Sequence, residues 1–418
     1  MNERLLQFIW QHLYFNKEQL ATEDGQLLQI IFQGSINTNQ GPDFLNAKLK
    51  IDTVLWAGHV ELHLKTSDWK KHGHETDEQY KSVILHVVWQ HDTVDAQRFP
   101  LLVLNTRVAS SLLQKYDELM QQNKFIPCEK QVTSVREIVW LSWKERMVAE
   151  RLQQRSKKVE EQLVKTKHHW EDVFWQLIAR NFGLSLNAEL FEAVAQSVSI
   201  TILAKHKKQI HQLEALLLGQ AGFLSTDFED QYPQMLQKEY QFLKKKYKLI
   251  PVSQKPIFLR MRPSNFPTVR LAQMAMLIHH SSHLFSKIIE AKELNEIKKV
   301  LQVTANDFWH THYTLIETSA HKKKQLGAMM VENIFINTII PVLFAYGSYH
   351  KNEVLKQKAI HWLQQIPKEK NAITKKWEEV GVAHQSAFDS QALLYLKKNY
   401  CTVKNCIHCA VGNSILKK

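Results

Sequence analysis

Residues 41–65 read GPDFLNAKLKIDTVLWAGHVELHLK, and the fold of the first third of the chain turns on them. The Gly-Pro-Asp opening punctuates the chain, because proline fixes its φ and lacks a donor. NAKLKIDT (46–53) and VLWAGHVELHLK (54–65) then alternate as two successive strands. In HVELHLK a period of two sets His59, Glu61, His63 and Lys65 on one face and Val60, Leu62 and Leu64 on the other. Four ionisable groups in a row exceed what a solvated face needs. Asp43 sits just ahead of the first strand. If the two strands pair antiparallel, its carboxylate and that of Glu61 can enter one ion's coordination shell, with Mg²⁺ or Mn²⁺ as the expected ion.

Outward from this pair, residues 1–115 read as mixed α/β. A helix over 3–15 (apolar at Leu5, Phe8, Ile9 and Leu13) precedes QLLQIIFQG (26–34) and the two strands above. SVILHVVWQHD (82–92) and FPLLVLN (99–105) complete the set, and the polar run 66–80 forms a loop or short helix. Beyond about residue 116 the period becomes 3.6, over 134–165, 169–181, 187–200, 205–218, 230–247, 267–292, 295–303, 325–346, 351–365 and 386–400. The expected class is α+β: a nuclease-like α/β domain (1–115), a linker (116–134) around Pro127, and a larger all-helical domain (135–418).

A chain of 418 residues has material for two domains, and 54 Lys+Arg against 41 Asp+Glu leave a net charge of +13. The excess is clustered at KKVEEQLVKTKHH (157–169), KHKK (205–208), KKKYK (244–248) and HKKK (321–324). Clustered cations without an amphipathic anchor favour a polyanion over a membrane, and nucleic acid, DNA ahead of RNA, is the expected partner. The N-terminus carries no secretion pattern, and NIFINTIIPVLFAYG is too short and polar for a membrane span. The expected location is cytoplasmic. GQAGFL (219–224) lacks the Gly-Lys-Ser/Thr ending of a P-loop, and no G-x-S-x-G occurs. Nucleotide hydrolysis and serine-hydrolase chemistry are poor candidates.

Three further sets carry chemistry. His63, His72, His74 and His86, with Asp68 nearby, offer imidazoles for a Zn²⁺ or Mn²⁺ site lining the same cleft as the acids. Cys401, Cys406 and Cys409 form C-x4-C-x2-C in the tail and, with Cys128 in the linker, would complete a Zn²⁺ site or hold an iron–sulfur cluster; His408 is an alternative fourth ligand. Arg260, Arg262 and Arg270 surround the helix start at Pro267, where guanidinium groups and free N–H groups would bind phosphate or pair with acids between domains.

Pro42-Asp43 and Glu61 resemble the PD-(D/E)XK nuclease signature. The resemblance implies a restriction-endonuclease-like core and divalent-ion-dependent phosphodiester hydrolysis, with Asp43 and Glu61 on the ion. The family's lysine, two residues after the second acid, is His63 here, so His63 or Lys65 would take its part. The cysteine arrangement resembles that of iron–sulfur-stapled nucleases, although there the lone cysteine precedes the nuclease motifs. Nearly end to end, the chain is also similar to an uncharacterised bacterial domain-of-unknown-function family. That similarity rests on GPDF (41–44), GHVELH (58–63), HGH (72–74), EALLLGQAGFL (214–224), RPSNFPTVRLAQ (262–273) and SQALLYL (390–396). Two other readings stand beside the nuclease: a non-catalytic nucleic-acid-binding or scaffold protein on a decayed nuclease fold, and a His/Asp metallohydrolase of another substrate.

Overall fold

Helix α1 (Glu3–His12) begins where Asn2 caps it, the Asn2 side chain accepting the Leu5 N–H at 2.9 Å. Its apolar stripe (Leu5, Leu6, Phe8, Ile9, Trp10) is buried, and the helix packs against strand β4 (Val54–Lys65). This computed structural model describes residues 1–74, 76–93, 99–281 and 283–417. Around β4 stand β1 (Leu28–Phe32), β2 (Ser35–Ile36), β3 (Phe44–Ile51), β5 (Val83–Gln90) and β6 (Leu101–Val103), in the order β1-β3-β4-β5-β6 with β2 on β3. β1 pairs with β3, and β3 with β4, antiparallel, as the abutting strand patterns predict. From β4 the chain crosses over through α2 (Asp68–Lys71) and a 3₁₀ turn (Glu78–Tyr80), and β5 and β6 add in parallel. A mixed sheet followed by helices is the α+β class expected.

Two irregularities set the register. In β3 the pairs shift between Phe44↔Val60 and Ala47↔Gly58, and Asn46 there takes a left-handed φ of 57°. Without that bulge the ladder would run Asp43 against Leu62. With it, Asp43 stands beside Glu61. In β5 a second shift follows His59↔Val83 and aligns Glu61 with His86. The chain passes so close at that point that a Cβ on Gly58 would lie 2.4 Å from the Ser82 carbonyl and 2.5 Å from Ile84 Cγ2. Only glycine fits.

The chain divides into two units. One holds residues 1–143, 376–382 and 395–418, the other 144–375 and 383–394. This differs from the expected division at 116–134. The start of that stretch is the helix α3 (Ser110–Gln121), with Leu112, Tyr116 and Leu119 buried. The cysteine-bearing tail belongs to the first unit, because its last helix (Ala410–Lys417) packs against α3. In the second unit the helical segments appear largely where the 3.6 period put them, beginning with α4 (Glu137–Lys165), which spans the division. Expected helix 267–292 is seen as Pro267–His280 and Leu284–Glu290, Ser282 between them lying outside the described residues. Among the described residues one helix, Ala328–Tyr349, is long and apolar enough to cross a membrane, contrary to the reading of that stretch as too short, and it is mostly buried.

Candidate metal centre

The bulged ladder brings the two acids together. Asp43 donates its backbone N–H to Glu61 Oε2 at 3.0 Å, and Asp43 Oδ2 accepts the Leu62 N–H at 3.1 Å. Gln7 on α1 donates to Asp43 Oδ1 at 2.8 Å. The loop before it is braced by Asn37, whose backbone N–H reaches the Asp43 carbonyl at 2.7 Å and whose side chain reaches the Pro42 carbonyl at 2.9 Å. Both carboxyl groups are pushed above the usual range, chiefly by burial, and Glu61 also by the charge of Asp43.

Glu61 Oε1 points at histidines. It lies 3.6 Å from His63 Nε2 and 3.6 Å from His74 Nε2. His63 Nε2 is in turn 3.1 Å from His72 Nδ1, and the ligand nitrogens of His63, His72 and His74 all lie within 4.8 Å of one another. An ion held at about 2.0–2.1 Å by tetrahedral ligands separates them by about 3.3 Å, which is the scale of these contacts. His63 is buried (1% exposed) and its pKa is driven down to about 2 by burial and by the neighbouring imidazoles. It therefore offers a lone pair at any physiological pH. Its Nδ1 sits 2.9 Å from His86 Nε2, also buried. For Nε2 to face an ion, Nδ1 must carry the proton and donate it to His86, so His86 fixes the ring.

The other two histidines come from the crossover. Gly73, in a left-handed φ of 75°, turns the chain after α2, and the His74 N–H bonds the Trp69 carbonyl at 3.3 Å. His72 is exposed and His74 half-buried, so the cluster opens to solvent on that side. Trp69 backs the site, its ring 5.1 Å from that of His86 and 5.4 Å from that of His74; Tyr80 stacks on His74 at 3.8 Å. Burial, then the charges of Glu61 and Asp43, raise Tyr80 to about 12, keeping its hydroxyl protonated.

Of the residues singled out from sequence, Asp43, Glu61, His63, His72, His74 and His86 thus come together. Lys65 does not: it is exposed at the end of β4, and its charge acts on Asp92. Asp68 is spent on the Lys65 N–H at 3.1 Å. The arginines do not form one set. Arg260 and Arg262 are exposed, whereas Arg270 is buried, bonding Gln273 Oε1 at 2.9 Å and Asn265 Oδ1 at 2.6 Å. The four cysteines are unlinked thiols of the first unit. Sequence reasoning missed Gln7, Trp69 and Tyr80. Only Trp69, between a strand and HGH, carried a signal, since a large aromatic in a polar crossover must bury itself somewhere.

The chain belongs to the family described as Protein of unknown function (DUF2851), which it matches over residues 3–372. No curated protein and no solved structure matches it.

Proposed function

We propose, for this member of a family whose description assigns no activity, that the first unit is a metal-dependent hydrolase of phosphodiesters on a restriction-endonuclease-like sheet. Glu61, His63, His72 and His74 are its ion ligands, and Asp43 fixes Glu61. The observation that carries this is that the ligand nitrogens of His63, His72 and His74 lie within 4.8 Å of one another, with Glu61 Oε1 3.6 Å from those of His63 and His74. Three nitrogens and one carboxylate suit Zn²⁺ or Mn²⁺ ahead of Mg²⁺, which prefers oxygen throughout. Mg²⁺ between the acids fits less well, because both Asp43 oxygens and Glu61 Oε2 already accept N–H bonds. When bound, such an ion supplies an acidified water and neutralises charge on the phosphoryl oxygens. The chain's own residues hold the geometry: His86 sets the His63 tautomer, Gln7 and the Leu62 N–H set Asp43, and Trp69 with Tyr80 walls the back.

Where the nuclease pattern wants a lysine, His63 is a ligand rather than a cation, and Lys65 does not replace it. This favours, as a second reading, hydrolysis of another ester or amide at the same centre. The scaffold reading is less well supported, since it wants Asp43 and Glu61 apart, and a hydrogen bond joins them. Support for nucleic acid comes from the +13 charge and from basic clusters in the second unit. Free thiols fit a reducing, cytoplasmic setting. The test is Mn²⁺- or Zn²⁺-dependent cleavage of DNA and RNA by Glu61→Ala and by His72→Ala, whose exposed side chain can be lost without unfolding the chain. Both should lose cleavage and keep nucleic-acid binding. Unchanged cleavage in either would sink the site, and cleavage of neither polymer by the wild type would leave the second reading in its place.

A further inference from the structure

Two of the basic clusters, distant in sequence, form one surface of the second unit. KHKK (205–208) stands at the end of the helix Ile200–Lys205, and KKKYK (244–248) at the end of the helix Gln231–Tyr247. A relay of hydrogen bonds clasps them together. Tyr247 Oη lies 2.8 Å from His206 Nε2, and His206 Nδ1 meets Gln212 Oε1. An amide oxygen only accepts, so Nδ1 carries the proton and Tyr247 donates to Nε2. Gln212 then donates Nε2 to Glu239 Oε1 at 2.7 Å, back on the helix that holds Tyr247. The turn at buried His206 is thereby fixed against that helix at two points. Lys205 and Lys208 on one side, and Lys245, Lys246 and Lys248 on the other, are exposed, and among the described residues no carboxylate lies within ion-pair distance of them.

Lysines in the last turn of a helix complement its dipole, which accounts for part of this charge. It does not account for Phe242. The helix Gln231–Tyr247 buries Pro233, Leu236, Tyr240 and Leu243 as its core stripe. A Cβ on Gly219, in the helix Ile210–Gln220, would lie 2.2 Å from Tyr240 Cδ2, so the two helices meet with no slack and the rotation is set. That rotation turns Phe242 outward, 59% exposed. Lys238, Phe242, Lys245 and Lys246 share this solvent face at helical spacing. The Lys246 ammonium lies 5.9 Å from the Phe242 ring and 5.3 Å from that of Tyr247. A phenyl ring open to water among ammonium groups offers its π-face to a base and its neighbours' charge to the phosphates on either side. In a duplex the bases stack on one another and present only their edges, so such a ring selects unpaired strands.

We propose that this face binds single-stranded nucleic acid, an unpaired base stacking on Phe242 while Lys205, Lys208, Lys245 and Lys246 hold the flanking phosphates. The proposal rests on the nucleic-acid reading of the substrate given above and narrows it to unpaired strands.

The test is fluorescence anisotropy on full-length protein with a labelled oligothymidylate and a duplex of equal length, without added divalent ion. Wild type should prefer the single strand. Phe242→Ala should weaken single-strand binding roughly 5- to 100-fold, the range of one lost stacking contact, and leave duplex affinity unchanged, whereas Phe242→Trp should retain it. Lys245→Gln combined with Lys246→Gln should weaken both and lower the salt slope on the single strand by about 1–2, near 0.7 for each phosphate. All three side chains are exposed, so the fold survives these changes. His72→Ala, which removes cleavage in the first unit, should bind the single strand as wild type does. Single-strand affinity unmoved by Phe242→Ala, or equal affinity for strand and duplex, would overturn this proposal while the metal centre, read by cleavage, stands. Binding of neither probe would overturn it together with the nucleic-acid reading, and phosphatidylserine vesicles then held through Phe242 would put a lipid surface in their place.

Discussion

A histidine enclosed by three others has one chemical asset, its lone pair. His63 keeps it because burial and its neighbours hold the ring neutral, and His86 decides which nitrogen presents it. His86 is therefore a positioning residue. His86→Leu should weaken Mn²⁺ or Zn²⁺ binding by roughly 10- to 100-fold in a metal titration while leaving the fold intact. Unchanged affinity would reduce His86 to packing. Gly58 acts at the same scale through space alone. Gly58→Ala drives a methyl into the Ser82 carbonyl and Ile84, and the strands must part to admit it. A loss of about 1–3 kcal/mol, read from the urea midpoint, is expected. The alternation of HVELHLK made Glu61 and His63 legible as neighbours on one face. It could not tell that Lys65 would end in solvent, because a period of two says which side a residue faces and nothing about how far the cleft extends.

At the scale of elements, strands β3 to β6 lie close to where alternation put them, since the signal there is local. The two register shifts that bring Asp43, Glu61 and His86 into line were not legible, being set by cross-strand packing at Asn46 and Gly58. In the helical unit, EALLLGQAGFL reads as an apolar helix with one acid in it. The helix Ile210–Gln220 buries that acid completely. Glu214 accepts Tyr232 Oη at 2.8 Å, Asn306 Nδ2 at 2.7 Å and Trp309 Nε1 at 3.1 Å, yet burial still raises it to about 7. An acid whose folded pKa lies above its unfolded value binds its proton more tightly in the native state. The stability this contributes is present below about pH 4.5 and is lost as pH rises to about 7, at most about 3 kcal/mol from the size of the shift. Urea midpoints across pH 4.5–8 should fall with rising pH by that amount more in wild type than in Glu214→Gln. Parallel curves would mean the three donors fully offset the burial of the charge.

For the molecule as a whole, length suggested two domains or three, and the chain divides into two units. The tail, read as part of the helical domain, falls in the first unit, because contacts between α3 and the last helix join residues nearly three hundred apart, and no local pattern encodes such contacts. The charge has a clearer address. All four basic clusters fall in the second unit, although Lys324 is buried there, with Nζ on the His310 and Lys322 carbonyls, and serves the fold. The 157–169 cluster borders a cavity of about 960 Å³ within that unit, lined in part by Arg155, Lys158, Lys165 and Arg180. Arg180 pairs with Glu192. Arg155 is half-buried, burial lowers its pKa, and among the described residues no carboxylate lies within ion-pair distance of it. A guanidinium that has lost water without gaining an acid is a place where a phosphate group relieves a cost. If a polyanion binds there, log affinity for DNA should fall linearly with log salt, by about 0.9 for each phosphate neutralised. Arg155→Gln combined with Lys158→Gln should then weaken binding at low salt and reduce that slope by about 1–2, in fluorescence anisotropy with labelled oligonucleotides. Affinity independent of salt, or a slope unmoved by the double variant, would return the basic excess to solubility and detach the second unit from the proposed substrate.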